Sequence, residues 1–176
     1  MRVYTVQHLE AYKKLREQGF LEGREAFVDK DFLKAYHWMK QQMIKRIPNY
    51  KGENYPIWLW KRSVNRNERV LLPKGTRGVI LTLEIPDDQI LWSDFQSWHF
   101  VLNNSPITDS EDEWERYLKD EENYEVVKSW DKIFDFDYFR QGDKNWHGTF
   151  NEEWIQGVTP RITVDQVKKV TRFIAK

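Results

Sequence analysis

The chain has 176 residues, 40% hydrophobic and 32% charged, a composition that describes one globular domain and excludes a disordered chain. Lys and Arg number 28 against 28 Asp and Glu, for a formal net charge of +0; that balance argues against non-specific nucleic-acid binding, which draws on excess positive charge. Without cysteine there are no disulfides and no thiolate chemistry, and no apolar run approaches the roughly 20 residues of a membrane span, so the expected setting is soluble and cytoplasmic.

Val3-Tyr-Thr-Val6 alternates with β-branched and aromatic residues and predicts a short opening strand. Leu9, Tyr12 and Leu15 then keep helical spacing, and Gly19 supplies the stop. Asp31 is the candidate cap of a second helix, in which Phe32, Tyr36, Met39, Met43 and Ile47 recur at helical intervals before Pro48 ends it. Ile57 to Lys61 predicts a strand entered from Pro56. After the turn at Pro73-Lys-Gly75, the nearly continuous Val, Ile and Leu of Gly78 to Ile85 predict a strand buried on both faces, hence central. Ser93-Asp-Phe-Gln96 has the form of a capping box opening a helix over 94–102, with Asn103-Asn104 as its left-handed stop. Ser110-Glu-Asp-Glu113 is a second box, starting an acidic helix through Leu118. Phe150 to Val158 predicts a strand, followed by a turn of helix from Thr163 and a last strand near Val170 to Ile174. The class is α+β, a single domain over 1–176 with two N-terminal helices, later short helices and a mostly antiparallel sheet.

Nine tryptophans are more than a core of this size needs. Trp58 and Trp60 stand two apart, Trp98 precedes His99, and Trp146 precedes His147. A side chain with an apolar body and a polar N–H suits cleft walls and contact surfaces, although half or more of the nine are expected in the core. On a helix, Asp94 and Trp98 lie i,i+4, as do His99 and Asn103, beside a stripe of Phe95, Trp98 and Leu102. That arrangement can read a polar ligand; it equally describes a capped packing helix. In an extended strand Glu153 faces away from Trp154 and Gln156. Glu153 or Gln156 can then aim into a cleft, the alternative being an exposed strand end. Lys61, Arg62, Arg66, Arg69, Lys74 and Arg77, with Glu68 among them, form either a solvated loop or a phosphate-facing patch. His8, His37, His99 and His147 lack metal-ligand spacing, so no zinc site is expected. A nucleophile-elbow serine and a phosphate-loop glycine cluster are also absent.

Two resemblances follow from these segments. Tyr4-Thr-Val-Gln7, Ala35-Tyr-His-Trp-Met39, Pro56-Ile-Trp-Leu-Trp60, Ser93-Asp-Phe95 with Trp98-His99, Val101-Leu-Asn103 and Trp154-Ile-Gln156 together resemble domain of unknown function 3841, over essentially the whole chain. The family brings no established activity. More loosely, Val3 to Gln7, the helix after it and Gly19-Phe-Leu21 resemble the opening of ADP-ribosyltransferase-like domains. Glu153 to Ile162 is similar to the last catalytic strand of those enzymes. This second resemblance implies an ADP-ribosyltransferase-like fold, NAD as the ligand, Glu153 as the carboxylate near the ribose, Tyr4 and Gln7 near the ligand, and Trp58 or Trp60 stacking on it. One departure stands out: where those enzymes carry His or Arg on the first strand, this chain has Tyr4, Thr5 and Gln7. Binding without turnover therefore stands beside transfer.

The expected function is an aromatic-lined cleft for a nucleotide-like ligand such as NAD, extending to ADP-ribosyl transfer with Glu153 as the catalytic group. Its ligand-binding candidates are Tyr4, Gln7, Trp58, Trp60, Arg62, Asp94, Trp98, His99, Asn103 and Gln156, with no metal. The alternative is a non-enzymatic module that binds a protein partner through exposed aromatics.

Overall fold

Alternating and helical apolar patterns build an α+β structure around a mostly antiparallel six-stranded sheet. The computed structural model describes residues 1–69 and 71–176. The chain forms two compact units, Met1–Leu91 with Gln156–Lys176, and Trp92–Ile155.

In the first unit β1 (Arg2–His8) leads into α1 (Leu9–Gln18), which ends where Gly19 adopts φ 85 and donates its N–H to the Leu15 carbonyl. β2 (Phe20–Glu22) pairs antiparallel with β7 (Arg161–Thr163) as a separate two-stranded ribbon. α2 (Leu33–Arg46) buries Ala35, Met39, Gln42 and Met43, the face its spacing predicts. β3 (Ile57–Trp60), β4 (Arg77–Glu84), β6 (Ile155–Thr159) and β8 (Val167–Ile174) follow in a sheet of order β5–β6–β3–β1–β4–β8, of whose β5 (Leu91–Asp94) only Leu91 belongs to this unit. The chain leaves the first unit within β5 and returns at β6.

β4 lies between β1 and β8, as its composition predicts. β8 closes the sheet as an edge, with Lys168, Lys169 and Arg172 exposed, charges that discourage pairing with another chain. The sheet's two faces differ. Val3, Leu59, Leu81 and Leu83 share one face and are fully enclosed. The other face carries the cross-strand row Gln156, Trp60, Tyr4, Thr82. Trp58 stands two residues along β3 on that same face, where its Nε1 donates to the Tyr36 hydroxyl of α2 at 3.1 Å.

The second unit continues from β5 into α3 (Phe95–Leu102), α4 (Glu111–Lys119), α5 (Val126–Ser129), α6 (Phe136–Gln141) and α7 (Lys144–His147). Among the described residues no helix is long and apolar enough to cross a membrane.

Four sequence expectations need correction. Asp29, not Asp31, makes the cap before α2: its carboxylate accepts the Asp31 N–H and starts a 3-10 turn that runs into the helix. Asp94, not Ser93, caps α3, taking the Ser97 N–H at 2.7 Å; Ser93 belongs to β5 and is wholly buried. The left-handed residue after α3 is Asn104 at φ 53, while Asn103 stays at φ -87. Phe150 to Trp154 is not strand. Asn151 accepts the Glu153 N–H, and this local bond competes with the ladder, leaving Glu152–Trp154 as a 3-10 turn and delaying β6 to Ile155.

Tryptophan burial also differs from expectation. Trp98 and Trp130 are buried, whereas the other seven are half-buried or, at Trp146, 36% exposed.

Candidate functional site

The site of the second unit is built on a segment without regular secondary structure. After α3, residues 105–109 (Ser-Pro-Ile-Thr-Asp) enter the interior, so their backbone polar groups need partners that no strand provides. Side chains provide them. Trp130 Nε1 donates to the Ser105 carbonyl at 2.8 Å, and the Ile107 N–H donates to Ser129 Oγ at 2.9 Å. Lys132 Nζ donates to the Ile107 carbonyl, and Trp146 Nε1 to the Thr108 carbonyl, each at 2.9 Å. Ile107 and Thr108 are thereby buried, and Asp109 is held at the surface end of the segment.

Against this segment lies a cavity of about 590 Å³, within the size range of small-molecule sites. Trp114, Trp146 and Trp154 line it together with Phe100, Phe139 and Phe150. Three of these rings are held by stacking: Trp154 lies nearly parallel to Phe95 at 5.4 Å, and Phe139 to Phe150 at 6.2 Å. Polar lining comes from Asp94, Gln96, Ser97, Thr108, His147 and Asn151, among others. Asp94 supplies a carboxylate to the lining, and among the described residues no Lys or Arg lines the cavity. Such walls suit a flat, uncharged or weakly cationic ring better than a phosphate.

His147 enters the cavity wall from a hydrogen-bonded chain. Tyr138 donates its hydroxyl proton to Asp109 Oδ1 at 2.5 Å, and Lys132 Nζ reaches the same oxygen at 2.6 Å. The Tyr138 oxygen lies 3.1 Å from His147 Nε2. Burial pushes the Asp109 carboxyl up, but the hydrogen bonds from Lys132 and Tyr138 outweigh it and hold the group below the ordinary aspartate value. Tyr138 is pushed well above the usual phenol range, by burial first and then by its bond to Asp109. Burial lowers His147, offset in part by Asp109 and Asp143 and reinforced by Lys132. The set at neutral pH is therefore an ionised Asp109, a protonated Tyr138 and a neutral His147.

Of the residues singled out from sequence, Asp94 lines this cavity. Trp98 is core, 4% exposed. His99 and Asn103 are exposed and bond to their own helix: the His99 ring to the Phe95 carbonyl at 3.0 Å, and Asn103 Nδ2 to the His99 carbonyl at 2.7 Å. Glu153 is exposed on its 3-10 turn, between Asn151 and Trp154, both of which line the cavity.

In the first unit the sheet brings Tyr4, Trp58, Trp60 and Gln156 onto one face. Gln156 is 4% exposed, and its amide nitrogen has no hydrogen-bond partner among the described residues. Gln7 lies on the opposite face, donating to Thr5 Oγ1 at 2.9 Å. Arg62 sits over the Trp60 ring at 5.3 Å and pairs through both terminal nitrogens with Glu68 at 3.0 Å, which partly neutralises the basic stretch.

Sequence reasoning passed over Asp109, Lys132, Tyr138, Trp114, Phe139 and Phe150. Their one local signal was Trp146-His147, whose role depends on residues 38 and 9 positions away along the chain.

No curated protein and no solved structure matches the chain. A family model described as Domain of unknown function (DUF3841) matches residues 2–167, and the chain belongs to that family.

Proposed function

We propose that the protein binds a planar, nucleotide-like small molecule by its ring end in the aromatic cavity of the second unit. The observation that supports this is the convergence of three Trp and three Phe on one cavity of about 590 Å³. Stacking on such rings contributes about 1–3 kcal/mol per base. Because Asp94 and no Lys or Arg lines the cavity, the adenine or nicotinamide ring is the part held there, with any phosphates outside it. The test is a Trp-fluorescence titration with adenosine, nicotinamide and NAD. Trp114→Ala and Trp154→Ala should each weaken binding by roughly 5- to 150-fold, the equivalent of about 1–3 kcal/mol. Unchanged affinity in both variants contradicts the assignment of the cavity.

ADP-ribosyl transfer is the reaction that the second family resemblance implies for an NAD-binding site. Nicotinamide would leave with the electron pair of the glycosidic bond, and a carboxylate would stabilise the oxocarbenium-like ribose until an acceptor attacks it. Glu153 supports this reading by its place between two cavity-lining residues. Glu153→Gln should then abolish release of nicotinamide from NAD while leaving its binding intact; undiminished release removes Glu153 from the role.

The protein-interaction reading has Phe27 on its side, a ring 77% exposed on the 3-10 turn Glu25–Phe27. It requires self-association or partner capture that Phe27→Ala abolishes and Glu153→Gln leaves alone.

A further inference from the structure

The chain Lys132, Asp109, Tyr138, His147 does more than brace the cavity wall. A phenol has one proton to give, and Tyr138 gives it to Asp109 at 2.5 Å, where Lys132 Nζ at 2.6 Å favours the ionised carboxylate. The Tyr138 oxygen can then only accept from His147 Nε2, 3.1 Å away, so that nitrogen carries the hydrogen. In a neutral ring the lone pair falls on Nδ1, and Nδ1 has no protein hydrogen-bond partner among the described residues. The Cδ2 edge is held by Gly142, where a Cβ would come within 3.0 Å of it and within 3.0 Å of the Tyr138 carbonyl oxygen.

We infer that His147 Nδ1 is a hydrogen-bond acceptor of this cavity and selects aromatic ligands that carry an N–H donor, a carboxamide or an exocyclic amine, over isosteres that lack one. Tyr138, Asp109 and Lys132 are the positioning residues that fix the tautomer. This rests on the reading of the cavity as a ligand site and narrows its ligand class. Asp94, in the same lining, adds a second acceptor and so favours donors further. The selection is lost when His147 gains a proton, because Nδ1 then becomes a donor. The charged and titratable groups that face the ring are Asp109, Lys132, Tyr138 and Asp143, so a binding profile that falls toward acid belongs to this cluster.

The experiment pairs each donor ligand with its closest donor-free isostere on the full chain at neutral pH: nicotinamide with methyl nicotinate, and adenosine with purine riboside. The donor member should bind roughly fivefold tighter or more, as one hydrogen bond allows, and His147→Gln and Tyr138→Phe should each shrink that ratio. Nitrogen-15 NMR of the imidazoles supplies a ligand-free readout: His147 should show the Nε2–H tautomer, relaxing to a mixture in Tyr138→Phe. Equal binding within both pairs, or an Nδ1–H tautomer in the wild type, overturns the inference while leaving the cavity reading intact. No binding of any of the four compounds overturns the cavity reading and the inference with it.

Discussion

Asp109 and His147 share an acid-sensitive arrangement. Burial disfavours charge on His147, so its folded pKa lies below the unfolded value of about 6.5. The unfolded chain takes up that proton first, and stability falls as pH drops through the ordinary histidine range until the folded pKa is passed. Asp109 is also lowered in the folded state, burial notwithstanding, by Lys132 and Tyr138. Its contribution is full above the ordinary carboxylate range and disappears as pH falls through the lowered value. Thermal unfolding measured against pH should therefore show a decline beginning near neutrality, and His147→Gln should flatten its upper part while leaving the carboxylate limb. An unchanged profile contradicts the burial of His147. Asp109→Asn should cost no more than about 1 kcal/mol, since the carboxylate of this ion pair is largely exposed. Its larger consequence should be on ligand discrimination, through Tyr138.

At the scale of elements, helix caps and close approaches place the site. Asp135 takes the Tyr138 N–H at 2.9 Å and so caps α6, the helix that carries both Tyr138 and Phe139. Asp135→Ala should cost about 1 kcal/mol of stability, read from denaturant unfolding, and no loss would show that the cap is not needed. Gly23 faces the Tyr55 backbone so closely that a Cβ would lie 2.4 Å from its carbonyl oxygen. Backbone cannot yield as a flexible side chain does, so Gly23→Ala should destabilise by about 1–3 kcal/mol or more; a neutral substitution there contradicts the packing of β2. The helices legible in sequence were those with several periods of pattern, α1 and α2, while β3 and β4 were legible from short apolar runs bounded by Pro and Gly and, in β4, rich in Val and Ile. Where elements are short the pattern is silent. α5 and α7 have 4 residues each and α6 has 6, fewer than two helical turns. The turn Glu152–Trp154 was hidden for another reason: an Asn side chain decides it, against residues that otherwise read as strand.

At the scale of the molecule, the site was less legible than the fold because it gathers residues far apart in sequence. Tyr4 and Trp60 were singled out through a family resemblance and Gln156 through its own segment, and it is the strand register that aligns the three across β1, β3 and β6. The cavity instead joins Asp94, Trp114, Phe139, Trp146 and Trp154, beside an irregular segment that Trp130, Lys132 and Trp146 hold by side-chain bonds and that no periodicity announces. Local density of functional groups drew attention to Trp98-His99, yet Trp98 is packed in the core. The tryptophan count pointed the right way in kind, toward walls that are half-buried, without saying which of the nine would meet.

The most direct test is thermal unfolding of the wild-type protein at neutral pH in saturating adenosine and in saturating nicotinamide. A ligand held in the cavity at 100 times its dissociation constant adds about 2.7 kcal/mol of stability and raises the midpoint visibly. Such a rise with either compound, reduced in Trp114→Ala, is the expected result. A midpoint unmoved by both compounds contradicts the assignment of this cavity as a site for planar, nucleotide-like ligands.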